Sequence, residues 1–475
     1  MRPSVPVSSL VLTGALALVV PLTAPTSSAS RTAVDDASVA DVAAARAPES
    51  AATRLATAAA ESRRGRAVRV PGSLEGLGFD TCTAPTRHTM DVLRTRSPYW
   101  GVGVYIGGES RGCSQPELTR SWVAEQHRKR WRIFPLWVGL QAPILRRGTP
   151  DAFACSGRTE HPMSARPDRA RAQGVAGANR AIRHARALGM ARGSTLFLDM
   201  EAYDNRRGRC TQAVLKFQSG WSHRLQARGW RSGFYSSGAS GIADLDHARA
   251  RTPHRYTWPN VLWLGWGNGR ADLEGEPYVR DSFWRRQRLH QFELDRWKRF
   301  GGVRVHIDQN AILVGRGSRP GRALHTCGVN VTYPHYWRWR FGDRSSQIPA
   351  GQCMLRRHGL YRGPFSKRFD VSTARAVGEY QRRRGIHVTR TLNRPTWTSL
   401  LASGTRPLVK RGSASDRVRF LQRSLTAALG RRVDVDGVFG PTTTRTVRDY
   451  QRGVRVAPNG IVGRSTWKAL QRGRH

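Results

Sequence analysis

The sequence predicts an α/β chain, with a (β/α)8 TIM-barrel-like domain followed by two small α-helical modules. Three observations carry that prediction. Between residues 73 and 318, eight short β-rich runs alternate with stretches that place apolar residues at helical spacing. Beyond residue 318 the texture changes, and seven residues recur at a fixed offset of 70. The six cysteines form no C-x-x-C pair, which favours disulfides over a metal knuckle.

Taken in order, residues 1–30 read as a secretory signal peptide, with Arg2, an apolar run from Leu10 to Val20, and a small-residue exit from Ala24 to Ser30. That run is too short to remain as a membrane span, and no other stretch approaches the roughly 20 apolar residues a span needs. The mature chain is expected to be secreted, and extracellular or cell-wall-associated. Residues 31–72 are Ala- and Arg-rich with few large apolar side chains, and are expected to form a disordered linker.

The eight runs are 77–80, 100–106, 133–138, 195–199, 232–235, 261–266, 289–292 and 303–308. Helices are expected between them, among others over 116–130, 170–188 and 212–227. Eight strands alternating with helices favour closure into a barrel; an open doubly wound sheet is the structural rival. The cysteines are expected to pair sequentially, because short loops close at the lowest entropic cost: Cys82 with Cys113, Cys155 with Cys210, and Cys327 with Cys353.

The 79 Lys and Arg against 33 Asp and Glu leave a net charge of +46, a surface that attracts polyanions. Only six of those cations are lysines, a bias that a GC-rich genome also produces. No nucleic-acid motif accompanies the arginines, so nucleic acid is not an expected partner. Gly101-Val102-Gly103 with Gly107 lacks dinucleotide spacing, and Ser236, Ser237 and Ser240 make no nucleophile elbow. There is no H-E-x-x-H, and Asp434 and Asp436 lack the later ligands of a calcium loop. No cofactor and no metal are expected.

Carboxylates are the better lead. Asp80, Asp199 and Asp308 fall at the C-terminal ends of expected strands, with Glu201 two residues past Asp199, and that end is where barrel enzymes hold their sites. Side chains two apart on a strand share a face at about 6 to 7 Å. Two carboxyls at that spacing suit glycoside cleavage, one donating a proton and the other stabilising the developing cation, with retention favoured over inversion. Tyr105, Trp137, Tyr235 and Trp266 are candidate platforms for sugar rings, and Gln291 is a candidate partner for an acetamido group.

The motifs Gly78-Phe79-Asp80, Leu196-Phe197-Leu198-Asp199-Met200-Glu201, His290-Gln291-Phe292 and Ile307-Asp308-Gln309-Asn310 are similar to the skeleton of the family-25 glycoside hydrolases, the lysozymes. Residues 75–315 resemble more closely the related glycoside hydrolase-like domain catalogued as DUF1906 in exported actinobacterial proteins. The resemblance implies Glu201 as general acid, Asp199 as stabiliser of the cationic centre, and Asp80 and Asp308 as orienting residues.

The repeat pairs Thr373, Val377, Tyr380, Gln381, Thr396, Trp397 and Leu400 with Thr443, Val447, Tyr450, Gln451, Thr466, Trp467 and Leu470. With Leu421, Gln422 and the turn Asp436-Gly437-Val438-Phe439-Gly440, the second copy resembles the three-helix peptidoglycan-binding domain. The first copy departs from it, with Phe369-Asp370 for Phe-Gly and with Arg390 and Asn393 where glycines belong. The expected boundaries are 73–318 for the barrel, 327–402 for a degenerate binding domain and 406–473 for the better preserved one. The resemblance implies a cell-wall hydrolase of the muramidase kind, and a monomer is expected; the alternative is a non-catalytic glycan-binding protein with a degenerate barrel.

Overall fold

The computed structural model describes residues 67–146, 153–157, 160–322 and 327–475. The expected signal peptide and most of the expected linker lie outside the described residues. The linker's last residues belong to the folded body: Val70 is buried, and its amide donates to Ser194 Oγ at 3.0 Å.

In chain order the barrel region comprises β1 (Leu74–Asp80), α1 (Arg87–Arg96), β2 (Tyr99–Gly107), α2 (Arg120–Arg128), β3 (Arg132–Val138), the short ribbon β4 (Ile144–Leu145) with β5 (Phe153–Ala154), and α3 (Pro167–Ala187). It continues with β6 (Thr195–Met200), α4 (Gly208–Ala227), β7 (Arg231–Ser237), a five-residue π-turn, α5 (Ala243–Arg251), β8 (Val261–Gly265), β9 (Arg288–Phe300) and β10 (Val303–Val314). Eight strands close in the order β1-β10-β9-β8-β7-β6-β3-β2.

Seven strands run parallel, as expected, and the eighth does not. β10 is antiparallel to both β9 and β1. The reason is the connection: Gly301 and Gly302, both at positive φ, turn the chain in two residues, whereas a parallel crossover needs about a dozen. Asp308 therefore lies inside β10 rather than at its end. The reversed strand still delivers it to the expected mouth, because Asp308 pairs with Asp80. The ends of β9 and β10 continue past that mouth as a hairpin.

Side-chain alternation divides the barrel into two cores. Phe134, Leu136, Phe197, Trp263, Leu289 and Ile312 fill the interior, while Ile133, Val102, Leu196 and Leu262 face the helices. Trp263 packs edge-on against Phe134 and Phe197, at centroid distances of 6.1 and 5.3 Å. Gly103 makes room for this plug: a Cβ there would lie 2.6 Å from Asp80 Cβ and 2.9 Å from Trp263 Cη2.

Two three-helix modules follow: α6 (Ile348–Arg357), α7 (Val371–Arg384) and α8 (Arg394–Ala402), then α9 (Asp416–Leu429), α10 (Pro441–Gly453) and α11 (Arg464–Gln471). Their repeat is one of hydrogen bonds as well as residues. Gln381 Nε2 donates to Thr396 Oγ1 at 2.9 Å, and Gln451 Nε2 to Thr466 Oγ1 at 3.0 Å. The departures in the first copy leave the fold intact. Arg390 takes the left-handed conformation (φ 56°) that Gly460 adopts in the second, and Asn393 caps α8 by accepting from Thr396 N at 3.1 Å.

The second module is seated on the barrel at the end opposite the carboxylates. Lys410 is fully buried there, and its Nζ donates to the carbonyls of Arg94 at 2.7 Å, Ser97 at 3.0 Å and Tyr99 at 2.6 Å. The ammonium also lies 4.4 Å from the Trp100 ring centroid. The cysteines pair as expected: Cys82–Cys113, Cys155–Cys210 and Cys327–Cys353.

Candidate functional site

Asp80 and Asp199 fall on the inward positions of β1 and β6, while Phe79 and Leu198 beside them pack outward. Above the Trp263 plug these carboxyls meet a layer of amides. Gln291 Nε2 donates to both Asp80 oxygens, at 3.3 and 3.1 Å, and to Asp308 Oδ2 at 3.1 Å. Asn310 Nδ2 donates to Asp80 Oδ1 at 2.6 Å, and its own carbonyl accepts from Trp263 Nε1 at 2.7 Å. The hydrophobic plug thus orients the polar layer above it.

Burial, reinforced by the adjacent Asp308 carboxylate, pushes the Asp80 pKa up to about 8, against the opposing pull of Asn310 and Gln291. Both causes favour the protonated form of Asp80. Burial also raises Asp308, with the charges of Asp295 and Glu201 adding to it, although its Oδ1 accepts from the Asp295 amide.

Tyr105 and Tyr235 line the same opening. Burial is the first cause that drives the Tyr235 hydroxyl well above its ordinary pKa; Asp199, Glu201, Asp80 and Asp308 then each add to it. Tyr235 thus lies within the field of all four acids. Tyr105 is raised in the same way by burial, then by Asp80, Asp199, Tyr235 and Asp308. The Tyr235 hydroxyl donates to Gln291 Oε1 at 2.9 Å.

Glu201 lies one residue beyond β6, half-buried, and its backbone is fixed by a residue the sequence did not flag. Gln141 is fully buried in the loop after β3. Its Nε2 donates to the carbonyls of Asp199 and Gly139, both at 3.1 Å, and its Oε1 accepts from the Glu201 amide at 2.9 Å. One side chain therefore holds the main chain on both sides of Met200. The following loop is anchored in turn, because Tyr203, Asn205 and Thr211 all donate to Asp244.

The structure brings Asp80, Asp199, Glu201, Asp308, Tyr105, Tyr235 and Gln291 together, and excludes two expected platforms. Trp137 is buried in the outer core, edge-on to His184 at 5.1 Å, because it shares strand parity with Ile133 rather than with Phe134 and Leu136. Trp266 stacks on His290 at 5.8 Å, and His290 faces outward beside inward Gln291. Gln291 also departs from its expected role: its amide is already committed to Asp80, Asp308 and Tyr235 and orients them. The disulfides Cys82–Cys113 and Cys155–Cys210 tie loops at this mouth without separating the acids. Among the described residues, no group of three or more His, Cys, Asp and Glu could hold a metal ion.

A closed barrel with a ring of carboxyls at one mouth has the groups that carbohydrate-acting barrels use. Family comparison specifies the class: residues 91–312 match the Rv2525c-like, glycoside hydrolase-like domain, and residues 344–400 and 414–470 each match a peptidoglycan binding domain. The chain is also similar to an uncharacterized protein of Kitasatospora aureofaciens from the bpoA1 3' region, 38% identical over 69 residues; the match covers 14% of this chain and 58% of that protein. Among solved structures it is similar to the Tat-secreted protein Rv2525c of Mycobacterium tuberculosis in complex with L-tartrate (15% identical, 51% of this chain and 97% of that one, TM-score 0.34). Another similar structure is an uncharacterized B. stearothermophilus protein (17% identical, 50% and 96%, TM-score 0.31). A third is the catalytic domain of endolysin ply40 from a Listeria monocytogenes bacteriophage (14% identical, 51% and 94%, TM-score 0.30).

Proposed function

We propose that the chain is a secreted, cell-wall-associated hydrolase that cleaves the β-1,4 glycan of peptidoglycan in the manner of a muramidase. The observation that carries this reading is the meeting of the acids at one end of the barrel: Asp80 pairs with Asp308, Asp199 pairs with Tyr235 with Glu201 two residues on, and Gln291 joins Asp80, Asp308 and the Tyr235 hydroxyl. Glu201, at the half-exposed rim, is the general acid that reaches the leaving oxygen. Asp199, buried below it, is the carboxylate that stabilises positive charge at the anomeric carbon, where scarce water strengthens the interaction. Asp80 and Asp308 orient this pair through the Gln291 and Asn310 amides. The peptidoglycan binding domains supply the partner polymer and raise its local concentration.

A second reading, non-catalytic glycan binding, is favoured by one feature: the Asp80, Gln291 and Asn310 network is satisfied internally and needs no chemistry to explain it. Incubating the full chain with peptidoglycan sacculi, and searching by mass spectrometry for new reducing ends, decides between them. The hydrolase reading expects release by the wild type and none by Glu201→Gln, with sedimentation on sacculi unchanged. A wild type that sediments and releases nothing establishes the binding reading instead.

A further inference from the structure

We infer that Trp297, on the hairpin that continues β9 and β10 beyond the mouth, is a stacking platform for a pyranose ring of the glycan strand, outside the carboxylates. The inference rests on the reading of the mouth as a glycan site and extends it by a subsite.

Strand parity puts Trp297 on the mouth side. In β10, Val305 and Ile307 pack into the outer core, so Arg304, His306, Asp308 and Asn310 share the opposite face. Trp297 pairs directly with His306 and therefore lies on that face. His306 is two residues from Asp308, about 7 Å along the strand. A sugar next to one held at the acids lies within reach of the indole.

The ring is built as a surface and not as core. Trp297 is 58% exposed, more than an indole covered on both faces could be. Its covered side rests on Arg304, whose Cζ lies 4.1 Å from the ring centroid, and on His306, whose ring lies at 4.8 Å. His306 Nε2 is 2.7 Å from Asp295 Oδ1, and the Asp295 amide donates to Asp308. The platform is thereby linked through one hairpin to the carboxyl cluster. A pyranose presents an apolar C–H face edged with hydroxyls; the open indole face suits the first, and Arg304, His306 and Asp295 suit the second.

The test uses the full chain carrying Glu201→Gln, to prevent turnover, with chitohexaose as the probe. Tryptophan oxidation by N-bromosuccinimide is mapped by peptide mass spectrometry with and without the sugar, and Trp337, also 58% exposed, serves as the reference. The expected result is protection of Trp297, an affinity about 3- to 10-fold weaker in Trp297→Ala, and recovery of most of it in Trp297→Phe. An affinity for chitohexaose that falls in Asp199→Ala while Trp297 stays as reactive as before overturns the inference alone. An affinity that neither Asp199→Ala nor Trp297→Ala changes overturns the glycan reading of the mouth, and the inference with it.

Discussion

Lys410 donates its Nζ proton to the Tyr99 carbonyl at 2.6 Å, across the junction between the second module and the base of the barrel. Burial, with Arg94 nearby, pushes its pKa well below the lysine range, while three carbonyls and the Trp100 face favour the ammonium. Lys410→Met keeps the apolar stem and leaves the three carbonyls without their donor. The expected loss is about 3 kcal/mol, read as a lower melting temperature and new protease cleavage between residues 403 and 412. An unchanged thermogram would show that the junction is held by other contacts.

Under the proposed hydrolase reading, Gln141 is a positioning residue. Gln141→Leu removes the acceptor of the Glu201 amide and the donor to the Asp199 carbonyl, and is expected to lower kcat about 100-fold with little change in KM. Gln141→Glu retains the acceptor and should recover part of the loss. A purely structural role would instead lower the amount of folded protein and leave the kcat of the remainder intact.

Asp80 makes stability fall as pH rises. Its carboxyl is pushed from an ordinary 3.8 up to about 8 in the fold, so between those values the unfolded chain has lost a proton that the folded chain keeps. Within that window its contribution declines by about 1.4 kcal/mol per pH unit. Asp80→Asn should flatten the urea-denaturation profile between pH 4 and pH 8 and gain on the wild type toward the alkaline end. Parallel profiles for the two proteins would contradict this.

The Cys155–Cys210 bridge closes a loop of 55 residues and so removes about 4 kcal/mol of unfolded-chain entropy. Replacing both cysteines by serine is expected to cost about that much in thermal unfolding. Both sulfurs are buried, whereas Cys82 is exposed, so mild reductant should open Cys82–Cys113 first, as alkylation and peptide mapping would reveal. Equal reactivity of the two bridges would count against this ordering.

The strands and acids were legible because barrel strands are short β-rich runs, and a carboxylate ending such a run stands out. The direction of β10 is also written in the sequence, because the Gly301-Gly302 connection is too short for a parallel crossover. Trp137 and Trp266 fall on the parity opposite to Leu136 of β3 and Trp263 of β8, which face inward, and so they miss the mouth; a β-rich run alone does not say which of its residues face in. Gln141 and Lys410 carried no local signal. Each acts on backbone atoms distant in the chain, 58 residues away for Asp199 and 311 for Tyr99, and side-chain motifs do not encode such partners.

Because Lys410 fixes the second module beneath the barrel while the acids open above it, the folded body is two-ended. On the proposed reading, a wall polymer gripped from below and a strand admitted from above would be separated by the whole height of the β-cylinder. The chain would then act as a stand-off device of set length, and lengthening the connection between its last two modules would not bring the opening any closer to the polymer on which it rests.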